Sequence, residues 1–375
     1  DGIVSSDVHS SVSGEVVKVE AVEGEFGYLE DMITIKVEGD EFEESIDRST
    51  EINREIPFSP EEIVAKIREA GIVGMGGAGY PTPIKTKLPE GKKVDCLIIN
   101  GIECEPFLTA DDRLMIEKAE QIVIGAKIIN KALGIQNAII AIDENKPRAI
   151  EILTKITKTY IGVNVQVCST KYPQGGEKQL ITAVTGREVP SGKLPADAGC
   201  LVQNVGTVFA IYEAVMKNKP LFERIVTVSG DACLHPANYR VRVGTPASFL
   251  IEKAGGITPD VAQVIFGGPM MGTSAFNVNA PITKLTSGIL LLSDRLTHKE
   301  AEQSCIRCGK CGEVCPMGLQ PFRIGQFVRA DMLEETKECN VLDCIECGCC
   351  AFTCPANLPL LDYCKLAKYE LKRKK

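Results

Sequence analysis

The chain has no tryptophan, only three histidines (His9, His235 and His298), and 5% aromatic residues. Three scattered histidines with no nucleophile elbow leave no Ser–His–acid arrangement to assemble, so the usual hydrolase readings fall away. No apolar run is long enough to cross a bilayer as a helix. Excess positive charge is also missing: the formal net charge of −8 argues against non-specific nucleic-acid binding, which needs a basic face. The opening DGIVSSDVHS is polar and acidic and lacks the order of a secretory signal. It also lacks a starting Met and begins in mid-pattern, so residues upstream of Asp1 are expected. What remains is an ordinary globular composition, 44% hydrophobic and 25% charged over 375 residues, enough for roughly two to four domains.

Cysteine is plentiful and uneven: eleven of the sixteen lie between Cys305 and Cys364. A disulfide framework suits small secreted domains, whereas clustered cysteines in a large chain without an export signal point to metal. CIRCGKCGEVCP sets Cys305, Cys308, Cys311 and Cys315 at C-x₂-C-x₂-C-x₃-C-P, and CIECGCCAFTCP repeats the spacing with Cys344, Cys347, Cys350 and Cys354. That is the double run of two-cluster bacterial ferredoxins, in which the fourth cysteine of each run ligates the other cluster. The spacing therefore predicts one [4Fe–4S] cluster on Cys305, Cys308, Cys311 and Cys354, and a second on Cys344, Cys347, Cys350 and Cys315. Zinc knuckles are the alternative, but zinc favours separated pairs with four ligands in all, often including His. Iron–sulfur clusters imply a reducing compartment. Cys339, Cys349 and Cys364 fall outside the spacing and read as packing thiols, as do Cys96, Cys168, Cys200 and Cys233. Cys349, lying between ligands, is a rival for a cluster corner.

Along the chain, residues 1–55 alternate apolar and polar residues with Gly at the turns, as a small β module does. SPEEIVAKIREAG then reads as a helix with Ser59 as N-cap, Pro60 at its first position, Glu62 closing a capping box and Gly71 at its end. Strands and helices alternate from there: VDCLIING, one long helix LMIEKAEQIVIGAKIINKALG, NAIIAID, PRAIEILTKITKTY, VNVQVC, and a glycine-initiated helix in GGEKQLITAVTG. This order implies an α/β layer with a largely parallel sheet. From about Pro220 a shorter mixed pattern suggests a compact β-grasp-like unit. From about Thr297 the chain is cysteine-rich and helical, and KYELKRKK reads as a solvated basic tail.

The stretch GIVGMGGAGYPTPIK matches G-x-G-x-x-G at Gly74, Gly76 and Gly79. A dinucleotide fingerprint needs a strand before it and a helix after. Here a capped helix precedes the glycines, and Pro81 and Pro83 follow, so the match is accidental with respect to that topology. Five glycines between Gly71 and Gly79 still imply close backbone approach to something, a phosphate or a flat ring, with Lys85 at a distance suited to an anionic oxygen. A turn-rich linker is the bland alternative. Two segments favour a site: Asn100, Glu103, Glu105 and Asp111 follow a buried strand, and Gly175, Gly176 and Glu177 open a helix.

GMGGAGYPTPIK, INGIECEPFLTADDRLM, YPQGGEKQLITAVTGREVP and QNVGTVFAIYEAV, in that order, resemble the NADH- and FMN-binding subunit of respiratory complex I. With PMMGTSAF and the double cysteine run, the whole chain more closely resembles the C subunit of Rnf complexes, membrane-bound ion-translocating NADH:ferredoxin oxidoreductases. The resemblance implies a multidomain α/β protein. Its parts would be a partial barrel-sandwich β module (1–55), a Rossmann-like FMN- and NADH-binding domain (56–215), a β-grasp-like domain (216–295) and a helical two-cluster ferredoxin-like domain (296–375). It implies that Gly74, Gly76, Gly77, Ala78 and Gly79 line FMN, that Lys85 reaches the flavin phosphate or the nicotinamide cofactor, and that Asn100 reaches FMN. Glu103 and Glu105 would belong to an acidic loop at flavin and NADH, with Glu105 and Glu177 as candidates to position NADH. Tyr172, Gly175, Gly176 and Glu177 would close the other side, and Asn204 and Thr207 would lie near the FMN phosphate. Tyr80 stands where Phe is common, Gln203 where complex I has a second Asn, and the Trp expected after the lysine is absent; Phe107 is a candidate adenine-stacking ring. The implied partners are NADH and the other Rnf subunits, with peripheral docking on the cytoplasmic face of the membrane, no transmembrane segment and no nucleic acid. The rival readings are an electron donor to a soluble reductase and a non-catalytic iron–sulfur relay or scaffold.

Overall fold

The structure, a computed structural model, describes residues 4–25, 27–87, 91–297 and 300–373; His298 and the last two lysines of the basic tail lie outside them. The chain divides into two compact units, one of residues 1–189 and 194–294, the other of 190–193 and 295–375.

The first unit begins with an antiparallel hairpin, β1 (Gly14–Glu23) and β2 (Leu29–Val37), whose register slips between Val16 and Lys18. Helix α1 (Pro60–Glu69) carries the expected punctuation: Ser59 Oγ accepts from Glu62 N, and Glu62 Oε2 accepts from Ser59 N. The glycine loop follows and is closed by Gly74 N donating to Tyr80 O at 2.9 Å and Gly79 N to Gly74 O at 3.1 Å. The two prolines do not exclude a helix after it: α2 (Thr82–Thr86) is one short turn, and Pro83 sits in that first turn, where a missing N–H costs no hydrogen bond.

Next come β3 (Cys96–Gly101), α3 (Ala110–Glu117), α4 (Ala119–Leu133), β4 (Ala138–Asp143), α5 (Pro147–Thr157), β5 (Val163–Cys168), α6 (Glu177–Thr185), β6 (Cys200–Asn204) and α7 (Val205–Lys217). The one long helix read from the sequence is two helices. They break at Lys118, whose φ of −124° and ψ of 27° leave the helical region although its N–H still bonds Leu114 O. The four strands form a parallel sheet in the order β5-β4-β3-β6. Strand β3 is buried on both faces: Leu97 and Ile99 join the large core with α1, α4 and α7, while Cys96 and Ile98 pack with Leu180 and Ile181 of α6. That two-sided burial explains its unbroken apolar run. Helices α4 and α7 touch at Gly125, where a Cβ would lie 2.4 Å from Val208 O.

The rest of the first unit is a mixed five-stranded sheet of β7 (Glu223–Ser229), β8 (Ala237–Arg242), β9 (Val261–Phe266), β10 (Thr273–Ser274) and β11 (Gly288–Ser293), ordered β10-β9-β11-β7-β8. Helix α8 (Ala247–Lys253) packs on it through Leu250 and Ile251.

The second unit is built of short helices, including Lys310–Glu313, Pro321–Arg329, Cys349–Phe352 and Leu360–Arg373. Its small cores mix Leu319, Ile324, Leu358 and Leu360 with cysteines.

Candidate functional site

The chain leaves β3 toward β4 and β5 on one side, then returns to place β6 on the other, so the sheet reverses between β3 and β6. Ligands in open α/β sheets bind at such a reversal, beyond the carboxyl ends of the strands. The residues at those ends are Asn100 and Asn204, directly opposite each other in register.

The glycine loop lies against this point. A Cβ on Gly76 would sit 3.1 Å from Asn204 Cβ, and Met75 N donates to Thr207 Oγ1 at 2.9 Å. Gly76, Gly77 and Ala78 are exposed. At Gly77, with φ of +122°, a Cβ would meet nothing within 4 Å, whereas at Gly79 (φ +65°) it would meet the Leu285 side chain. The loop is thus an arch, tied at Met75 and Gly79 and open at Gly77, and offers unshielded backbone to a flat ligand. Gly74 keeps ordinary backbone geometry beside Tyr80.

Lys85 pairs with Glu177 at 2.5 Å, which joins the glycine-loop segment to the first turn of α6. Asn100 Nδ2 donates to Gly175 O at 2.8 Å and its Oδ1 accepts from Ile102 N. Gly176 precedes α6 without a side-chain cap, and its own N–H donates to Pro173 O at 2.9 Å. Asn204 caps α7: Oδ1 accepts from Gly206 N and Thr207 N, and Nδ2 donates to Asp111 Oδ2 at 2.7 Å. The neighbouring Gln203 is buried, and its Nε2 has no hydrogen-bond partner among the described residues.

The two acidic residues of the following loop face inward. Glu103, with φ of +47°, accepts from Asp111 N and Asp112 N at the start of α3. Glu105 accepts from Met270 N and Met271 N, and the Tyr172 side chain hydrogen-bonds the same carboxylate. Burial, and after it the Asp111 charge, pushes Glu103 from 4.5 up to about 8, against its two amide hydrogen bonds. Burial also pushes Asp111 up, opposed by Asn204, Arg224 and Lys146. Between about 4.5 and about 8 the folded chain keeps a Glu103 proton that the unfolded chain has released, so stability falls as pH rises through that window. Urea denaturation across this range should show the slope, and Glu103→Gln, which cannot titrate, should flatten it.

Three participants were missed in the sequence. Cys104 lies between the two glutamates and accepts from Gly175 N at 3.4 Å, and a Cβ on Gly175 would come within 3.1 Å of its sulfur. Arg224, on β7, is buried behind Asp111, and burial pulls it down to about 10. Lys146 is a third, buried cation whose charge acts on Glu103 and Asp111. Only the dense spacing of Glu103, Cys104 and Glu105 hinted at the first. Nothing local marks the other two.

Within the second unit, a cavity of about 260 Å³ is lined by Cys305, Cys308, Cys311 and Cys354, with Ile306, Phe322 and Leu358. Cys354 has thus left its own run for the other. Cys315, Cys344, Cys347 and Cys350 form the second group, close enough that burial and one another's charges push the Cys350 thiol up to about 12. Among the described residues no three His, Cys, Asp or Glu side chains converge closely enough for a single metal ion; the first four thiols ring a volume instead. Four sulfurs around an apolar cavity suit a cluster better than one ion. Cys305 and Cys308 are exposed and Cys347 and Cys350 are buried, so the first group is the one nearer solvent. Cys339 is buried in a small core, as a packing thiol would be. Cys364 is buried in the same core and also hydrogen-bonds Cys344, and Cys349 hydrogen-bonds Cys347.

An open glycine arch at the reversal of a parallel sheet, joined to a mixed sheet, makes this an α/β protein with a ligand cleft at the switch point of its sheet. Residues 67–213 match the family described as the Nuo51 FMN-binding domain, and 225–274 match the SLBB domain. The C subunit of the Na⁺-translocating ferredoxin:NAD⁺ oxidoreductase complex of Acetobacterium woodii is 43% identical over 372 residues, covering 99% of this chain and 83% of that protein. The proton-translocating counterpart of Clostridium ljungdahlii is 46% identical over 374 residues, 99% and 80% of the two chains. The C subunit of the ion-translocating oxidoreductase complex of Rhodobacter capsulatus is 43% identical over 378 residues, 99% and 71%. The chain belongs to this family, the C subunits of the Rnf-type ion-translocating ferredoxin:NAD⁺ oxidoreductases. Among solved structures, an NAD⁺-reducing [NiFe]-hydrogenase in its H₂-reduced state shares the fold, with a TM-score of 0.56 and 19% identity over 75% of this chain and 55% of that one.

Proposed function

We propose that this protein exchanges hydride between NADH and FMN at the β3–β6 reversal and relays single electrons through two [4Fe–4S] clusters to partner subunits of an ion-translocating complex. The observation that carries this reading is the open arch at Gly76–Ala78, set against adjacent strand ends in a chain that also holds two four-thiol groups. Bound FMN supplies the conversion between two-electron and one-electron chemistry that NADH and a cluster cannot perform together.

The chain's own residues bind and orient. Gly74, Gly76, Gly77, Ala78 and Gly79 present backbone to the flavin ring. Lys85, tethered by Glu177, supplies positive charge for a phosphate. Asn100 holds Gly175 in place just ahead of the uncapped first turn of α6. Asn204 and Thr207 act from behind, by capping α7 and pinning Met75. Cys305, Cys308, Cys311 and Cys354 hold one cluster; Cys344, Cys347, Cys350 and Cys315 hold the other. Among the described residues no helix is long and apolar enough to cross a membrane. Docking at the cytoplasmic membrane face runs through partner subunits.

Cofactor analysis after anaerobic purification tests this. The expected result is FMN released on denaturation, together with iron and sulfide, and loss of the flavin absorption band on titration with NADH. Iron without flavin after reconstitution would favour a plain relay and sink the proposal.

A further inference from the structure

The loop of residues 267–272, reading GGPMMG, folds around one side chain. Glu105 Oε2 accepts from Met270 N at 3.0 Å and Oε1 from Met271 N at 2.9 Å. Two successive backbone amides thus grip one carboxylate, an arrangement that binds anions well. A Cβ on Gly268 would lie 2.3 Å from Glu105 Oε2 and 2.4 Å from its Cδ, so only glycine lets the backbone come this close. Gly272 N closes the loop onto Gly268 O at 2.9 Å. On the other side, Tyr172 hydrogen-bonds the same carboxylate, and the adjoining Cys104 touches Gly175. Each Glu105 oxygen is therefore already engaged by protein.

We propose that Glu105 is a positioning residue: it latches the 267–272 loop onto the loop that follows β3, and the latched loop forms part of the wall that receives NADH. Glu105 itself does not contact the nucleotide. This rests on the reading that NADH meets FMN in this cleft.

Two variants of the full-length, cofactor-loaded protein separate the roles. Glu105→Gln keeps the shape but loses an acceptor for one amide. Gly268→Ala leaves the carboxylate intact and pushes it off its seat from another part of the chain. The latch predicts that both speed amide exchange at 267–272 by roughly tenfold or more. Both should raise KM for NADH by about three- to tenfold with FMN content unchanged, and the double variant should be no worse than the more severe single one. Should Gly268→Ala fail to fold, Met271→Pro, which removes one of the two gripping amides from the loop side and leaves the carboxylate intact, takes its place in the comparison. A raised KM in Glu105→Gln with wild-type KM in Gly268→Ala would mean direct nucleotide contact and overturn the proposal. Unchanged exchange in both variants would overturn it too. If the wild type binds no flavin or NADH, the functional reading fails, while the exchange measurement still decides whether the latch exists.

Discussion

Replacing Cys354 with Ala should abolish the cluster assigned to the other cysteine run and spare the one beside it in sequence. Cys354 lines the cavity with Cys305, Cys308 and Cys311, whereas Cys315 belongs with Cys344, Cys347 and Cys350. Each run sends its fourth thiol across, and each Pro that follows turns the chain out of the ligand loop. With both proposed clusters bound the chain would carry about eight irons, so Cys354→Ala and Cys308→Ala should each fall to about four. The pairs decide the crossing. Cys354→Ala with Cys308→Ala should lose no more iron than either alone, because both strike one cluster. Cys354→Ala with Cys347→Ala should lose nearly all of it. Iron and sulfide analysis, with electron paramagnetic resonance of the reduced protein, reads the result. The opposite pairing pattern would mean self-contained runs.

Gly77→Val should empty the flavin site and leave the clusters loaded. Gly77 has φ of +122°, where L-residues are strained, and its missing side chain faces open space. A β-branched residue there costs about 1–3 kcal/mol in backbone strain and also fills the space a ring would occupy. FMN content should drop to about a tenth or less, since the strain is relieved only by distorting the arch. Gly134 is the control: it also has positive φ (+68°) with nothing within 4 Å of a Cβ, but it ends α4. Gly134→Val should carry the conformational cost and keep its flavin. Equal flavin loss in both variants would show that the effect is general destabilisation and not the arch.

Much of the candidate site was legible where the chemistry is local. A capping box spans four residues, and Ser59 and Glu62 form it as read. The apolar run of β3 announced a buried strand. Reading failed where local rules met tertiary demands. Lys118 breaks a helix that periodicity alone continues, and Pro83 starts a helical turn that the prolines seemed to forbid. The acidic loop shows what no local pattern encodes: Glu103 is bonded to backbone amides at the start of α3 and Glu105 to those of the distant GGPMMG loop.

The cysteine spacing, the glycine-rich arch and the alternation of strands and helices were determined by the sequence alone, because each depends on residues a few positions apart. The strand order was not. Only the folded sheet sets Asn100 beside Asn204, brings Thr207 under Met75, buries Arg224 behind Asp111 and delivers Met270 to Glu105. Those partners are distant in sequence, and which of them meet is settled by how the layers pack to bury their apolar faces, a choice that no local pattern encodes.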